Sequence, residues 1–293
     1  MLSPASFWSC SDSNLLLRTI SLPRVRVHVI SDLEGVSGIV KGPQTSGGAP
    51  MYDEARRLYT EEINAAVRGA KAAGATEIVV MDCHGAGKEW SFNSLVPDLL
   101  HPDCEFVVQE DWTEYTGFLE EGCDAALLVG MHAMAGTRAG VMNHTVSGAD
   151  YFNLRFNGTP VGETGIHAAL CGTWDCPVLL VTGDDAACDE GRSLLGEGLT
   201  TVAVKRGLGA TSARQIPPVR ARELIEAGAK RALSDLTAVP PWHLGNPCEI
   251  TVEFKHTLAV DKLRFRPGVE RVDDRTISVT ADTWWDAWKT FYF

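Results

Sequence analysis

Short apolar runs rich in β-branched residues recur along this chain, and three of them stop at a knot of Asp, Glu or His. Residues 25–30 lead into Ser31-Asp32-Leu33-Glu34-Gly35, residues 77–81 into Asp82-Cys83-His84-Gly85, and residues 125–129 into Gly130-Met131-His132-Ala133. The runs are continuously apolar and do not alternate, which is the pattern of strands buried on both faces. Residues 52–73 carry helical spacing through Leu58, Ile63, Ala66, Val67 and Ala70, ending at Gly74, and residues 162–173 read as a second helix before a strand at 178–181. Strands alternating with helices predict an α/β fold, a mainly parallel sheet flanked by helices.

After residue 204 the texture changes. A polar helix near 221–236 is followed by Pro240-Pro241, strand-like segments at 249–254 and 277–280, and an aromatic end with Trp284, Trp285 and Trp288. Residues 25–204 are therefore expected to form an α/β domain that carries the site, and 205–293 a smaller α+β portion packed on it. Residues 1–24 have separated apolar pieces with no preceding basic residue, so they do not read as a signal peptide. A disordered extension, or a start assigned too far upstream, is the expectation there.

Charge and cysteines narrow the function classes. A formal net charge of -12 with no basic stripe argues against nucleic acid, whose phosphates need clustered Lys and Arg. No run of about 18 uninterrupted apolar residues occurs, so no membrane span is expected. The 8 cysteines lie mostly in apolar stretches and include no C-x-x-C pair, which fits reduced core thiols and a cytoplasmic location better than a disulfide framework or a thiolate metal site.

In open parallel sheets, ligands bind at the carboxyl ends of the strands, where the loops diverge. Asp32 and Glu34 are two residues apart, so in an extended segment their carboxylates point to one side. His84 and His132 would reach the same rim from separate strands. Carboxylates and imidazoles together suit zinc, with other first-row metals possible. Two of each are about enough for one ion, and a fifth ligand with a bridging carboxylate would allow two.

The segment Ser31-Asp32-Leu33-Glu34-Gly35-Val36-Ser37-Gly38 resembles the opening motif of the bacterial zinc D-aminopeptidases, the family typified by the dipeptide-transport D-aminopeptidase of bacilli. Further motifs resemble that family in the same order: Asp82-Cys83-His84-Gly85, Gly130-Met131-His132-Ala133, Gly140-Val141-Met142-Asn143-His144-Thr145, Val161-Gly162-Glu163-Thr164-Gly165 and Val181-Thr182-Gly183-Asp184-Asp185. The likeness runs from Val25 into the C-terminal region. Cys83 and Thr145 depart from it, each where Ser is expected. The resemblance implies two zinc ions per chain held by Asp32, Glu34, His84, His132 and Glu163, with Asp32 as bridge. It implies His144 as the catalytic histidine, acting as general acid or base or as nucleophile. It also implies a ring-like homodecamer and, as substrate, a short peptide or amide with a free amino terminus, beginning with D-Ala or another small D-residue.

Two other functions share these residues. One is a related zinc amidase or peptidase without D-selectivity, and the other a small-molecule binding protein with a single structural metal. Among the remaining residues, His28 is expected to be a core histidine, and His101, His243 and His256 surface or loop residues. His167, one turn after Glu163, either approaches the metal or packs in the core. Asp184-Asp185 is expected to cap a helix, Asp82 to support an imidazole or a turn, and the three C-terminal Trp to form core or subunit contacts.

Overall fold

A computed structural model describes residues 24–110 and 116–293. The expectation for residues 1–24 falls, Arg24 apart, outside the described residues. Along the chain run β1 (Arg26–Ser31), α1 (Gly42–Thr45), α2 (Tyr52–Ala72), β2 (Glu77–Asp82), β3 (Glu105–Val107), α3 (Gly117–Glu120), β4 (Ala125–Met131), β5 (Tyr151–Phe156) and β6 (Thr159–Pro160). Then follow α4 (Glu163–Thr173), β7 (Val178–Asp184), α5 (Asp185–Leu195), β8 (Thr200–Gly209), β9 (Ser212–Gln215), α6 (Pro218–Ala232), β10 (Cys248–Phe254), α7 (Thr257–Leu263), β11 (Val269–Arg271), β12 (Thr276–Ala281) and α8 (Trp284–Tyr292).

The larger sheet has the order β3-β2-β1-β4-β7-β8-β9, parallel except for the final pair. Every residue of β1, β4 and β7 is buried, as the continuous apolar runs require. Chain order reverses between β1 and β4, and at such a switch point the loops part in opposite directions and leave a crevice. Asp32 follows β1 and His132 follows β4 at that point, while His84 follows the neighbouring β2.

The smaller sheet is antiparallel, β11-β12-β10-β5-β6. It draws β5 and β6 from the middle of the chain, and the expected division at residue 204 falls inside β8, a strand of the larger sheet. Helix α8 packs on β10 and β12 and also reaches α4. Its Trp284 and Trp288 stack at 5.4 Å between centroids, and Phe156 of β5 meets both edge-on. This aromatic core fixes the C-terminal helix against the element that begins at Glu163. No described helix is long and apolar enough to cross a membrane.

Candidate metal centre

Close backbone approach sets the rim on which the site stands. A Cβ on Gly35 would lie 2.1 Å from the carbonyl oxygen of Met131, and one on Gly130, whose φ is +78°, 2.0 Å from that of Asp32. Only glycine permits this contact, in which Gly35 N–H donates to the Gly130 carbonyl at 2.7 Å. The loops after β1 and β4 are thereby clamped together, with Asp32 on one and His132 on the other.

Asp32 lies between two histidines. Its Oδ1 is 3.1 Å from His84 Nδ1 and its Oδ2 is 3.2 Å from His132 Nε2. Glu34 joins the first histidine, Oε2 to Nδ1 at 2.9 Å, and Glu163 the second, Oε1 to Nε2 at 3.3 Å. All five residues named from the sequence therefore converge, and all are buried or nearly so. His144 stacks on His132, with centroids 4.0 Å apart and planes at 14°, and its Nε2 is 3.8 Å from Glu163 Oε1.

The outward nitrogens fix the orientation of the rings. His84 Nε2 donates to the Thr45 carbonyl at 2.8 Å, His132 Nδ1 to that of Ala133 at 3.0 Å, and His144 Nδ1 to that of Met142 at 2.8 Å. A backbone carbonyl only accepts, so each ring keeps a proton on its outer nitrogen and turns the inner one to the carboxylates. Burial disfavours a second proton on His84 and His132, yet the carboxylates Glu34 and Asp32 beside one, and Glu163 and Asp32 beside the other, raise both well above the usual histidine range. The same attraction overcomes burial to hold Asp32 well below the carboxylate range and Glu163 at about 2. Glu34 Oε2 and His132 Nε2 form no well-aligned hydrogen bond. Asp32, Glu34 and His132 bring ligand atoms within 4.8 Å of one another, as do His132, His144 and Glu163, and with His84 beside Asp32 and Glu34 these groups fit a shared cation better than one another.

Supports around the proposed ligand set come from Asp82, for which an imidazole or a turn was the expectation, and from residues whose roles were not apparent from spacing. Asp82 Oδ1 accepts from His84 backbone N–H at 3.0 Å and from Tyr59 hydroxyl at 2.8 Å, so it braces the turn that carries His84 and does not touch the imidazole. Lys205 of β8 sends its ammonium to the carbonyls of Glu34, Val36 and Ile39, the last two at 2.9 and 2.8 Å. Glu190 accepts from Met134 N–H at 2.7 Å, just past His132. Val146 holds a left-handed φ of 59°, a strained state for a β-branched residue, and its N–H donates to Glu163 Oε1 at 2.7 Å.

Several expectations for other residues meet their structural counterparts. His28 is fully buried and bonds the Val79 carbonyl at 3.1 Å. Asp184 caps α5, its side chain accepting from Ala187 N–H at 2.8 Å. Cys83 reaches the cavity beside the site, where burial pushes its thiol well up, away from a reactive thiolate. Trp288 is core, and with Tyr292 it also lines that cavity, a role the sequence reading did not give it.

Such a constellation at the switch point of a doubly wound sheet is that of a metal-dependent hydrolase. The chain belongs to the peptidase family described as D-aminopeptidase, whose sequence pattern matches residues 25–293. A D-aminopeptidase of Bacillus subtilis is 31% identical over 251 residues, covering 84% of this chain and 87% of that protein. A solved structure described as the Zn-dependent D-aminopeptidase DppA from Bacillus subtilis, a self-compartmentalizing protease, superposes with a TM-score of 0.83 at 28% identity. It covers 90% of this chain and 94% of its own.

Proposed function

We propose that this chain is a binuclear zinc aminopeptidase that removes the N-terminal residue from short peptides or amides, with preference for small D-residues such as D-Ala. The observation that carries the reading is Asp32, whose two oxygens face different histidines, each with its own further carboxylate. His84, Glu34 and Asp32 would hold one ion, and His132, Glu163 and the shared Asp32 the other. Zinc in this ligand set supplies Lewis acidity toward a peptide carbonyl and toward water.

The remaining chemistry belongs to the chain's own groups. His144 keeps its outer proton on Met142 and presents Nε2 at the cavity, where it can take a proton from water or give one to the leaving amine. Glu34 and Glu163 each offer carboxylate oxygens with which a free α-amino group can pair, a contact that an N-acetyl group removes. Stereochemistry is read by the cavity wall, since neither carboxylate nor imidazole distinguishes a D from an L centre without a steric reference. The free thiols among the described residues fit a cytoplasmic setting, and the relative's self-compartmentalizing character supports self-assembly here, as a homodecamer.

The test is zinc analysis joined to a substrate panel of D-Ala and L-Ala p-nitroanilides, D-Ala-D-Ala and their N-acetyl forms. Close to two zinc ions per chain and hydrolysis confined to the free D-series are expected. Preference for the L-series rejects the D-specific reading and leaves the metal centre standing. Hydrolysis undiminished after metal is stripped by a chelator rejects the centre itself.

A further inference from the structure

Glu190 of α5 stands between the two segments that carry His132 and Glu163. Its Oε2 accepts from the N–H of Met134 at 2.7 Å, two residues past His132. Its Oε1 lies against Gly162, the N-cap of α4 and the residue before Glu163. A Cβ on that glycine would be 2.5 Å from Oε1 and 2.8 Å from the Cβ of Met134, so only glycine lets α5, the loop after β4 and the start of α4 close together here.

This contact stands directly behind one pair of proposed ligands. His132 Nε2 and Glu163 Oε1 are 3.3 Å apart, although one residue follows a strand and the other opens a helix. The other half of the centre has different supports, Asp82 at the His84 N–H and Lys205 at the Glu34 carbonyl. Oε1 of Glu190 is buried and has no hydrogen-bond partner. A carboxyl so placed costs more than an aliphatic side chain of the same length, but an aliphatic one could not accept from Met134. Groups that fix the orientation of metal ligands govern how tightly those ligands hold their ion.

We infer that Glu190 is a positioning residue for one ion of the pair, the ion on the His132–Glu163 side, and that the ion on the His84–Glu34 side does not depend on it; this rests on the binuclear reading above. The experiment measures zinc affinity in the full chain by competition with a chromogenic chelator, with the unfolding temperature of each metal-free variant alongside. Glu34→Ala leaves the His132 side to be measured alone, and Glu163→Ala leaves the His84 side. Glu190→Met, which keeps the length of glutamate without an acceptor, is introduced into both chains, and Glu190→Ala is carried in parallel in case Met disturbs the packing. In the Glu34→Ala chain each is expected to weaken zinc roughly 10- to 100-fold, and in the Glu163→Ala chain by less than about twofold, the effect of an orienting group on its own ligands set against none on the others. Glu190→Gln keeps an oxygen for the Met134 N–H and is expected to restore most of the lost affinity. A similar fall in both chains, with a lowered unfolding temperature, overturns the inference and makes Glu190 a support of the fold. So does affinity on the His132 side that stays within about twofold of its parent. A wild-type chain that binds one zinc ion or none is a separate result, and it removes the binuclear reading along with this one.

Discussion

Replacing Lys205 by Met separates fold stability from placement of the ligand loop. The ammonium is fully buried and donates to three carbonyls of the segment that carries Glu34. Burial nonetheless pulls its pKa from 10.5 to about 8, with Glu62 and Asp184 opposing, so the charged form is held less well than in water. At ~1.4 kcal/mol per pH unit, that displacement corresponds to about 3 kcal/mol regained when the charge is removed. Against it stand three carbonyls left without a donor, at roughly 1–3 kcal/mol each where water cannot reach them. The difference runs from about zero to about 6 kcal/mol, and Lys205→Met is expected to destabilise the chain within that range in urea unfolding. Glu34, however, loses the ammonium that ties its loop to β8. Zinc affinity, measured by competition with a chromogenic chelator, is therefore expected to fall roughly 10- to 100-fold, the range for groups that orient metal ligands. Unchanged zinc affinity with a large drop in stability would refute the reasoning and make Lys205 a brace for the fold alone.

Three further outcomes are expected. Asp32→Ala should release more zinc than Glu34→Ala, because Asp32 faces both histidines and Glu34 only one; equal losses by elemental analysis would deny the bridge. His144→Ala should retain both zinc ions while kcat falls roughly 10²- to 10⁴-fold, and loss of zinc would place His144 among the ligands. Burial raises Glu62 from 4.5 to about 7, against the Ser37 N–H and Lys205. The contribution of this raised group is full below pH 4.5 and is lost as pH rises through about 7, to the extent of about 3 kcal/mol. Unfolding curves of Glu62→Gln and wild type should therefore coincide near the acid end, part between pH 4.5 and about 7, and stay apart in favour of the variant above that, the metal contribution cancelling in the difference; curves parallel throughout would exclude Glu62 as the source.

What the sequence disclosed and what it withheld follow from how far each contact reaches along the chain. Asp32, Glu34, His84 and His132 were legible because each sits within a few residues of an apolar run that is itself a buried strand, and the carboxyl end of such a strand is a place defined locally. Glu163 was different: it opens a helix, and only the likeness of the Val161-Gly162-Glu163 motif to a family drew attention to it. Strand β5 has no clear signature in the sequence because its partner β10 lies some ninety residues on, pairing Phe156 with Ile250, and only two of its six residues are buried. Trp288 and Tyr292 reach the cavity through that same long-range sheet, so nothing near residue 290 announces it.

Lys205 shows the limit most sharply. Val202 and Val204 face inward, and a strand period of two would send the following lysine out to solvent. Between Gly183 and Asp184 the pairing with β8 slips, Gly183 opposing Ala203 and Asp184 opposing Lys205, so one extra residue of β8 is accommodated there. Such a bulge reverses the face of everything after it, and it turns the lysine inward onto the loop of Glu34. A charge that breaks an apolar alternation without leaving the interior has no signature in spacing. It becomes visible only when its three carbonyl partners are seen, and these belong to a segment 166 to 171 residues earlier in the chain. Four of the five proposed ligands thus lie at locally defined strand ends, whereas Lys205, which holds the loop of Glu34 in place, acts across the sheet. A substitution at Lys205 should accordingly disturb metal binding from outside the proposed ligand set, in a stretch that none of the family motifs covers.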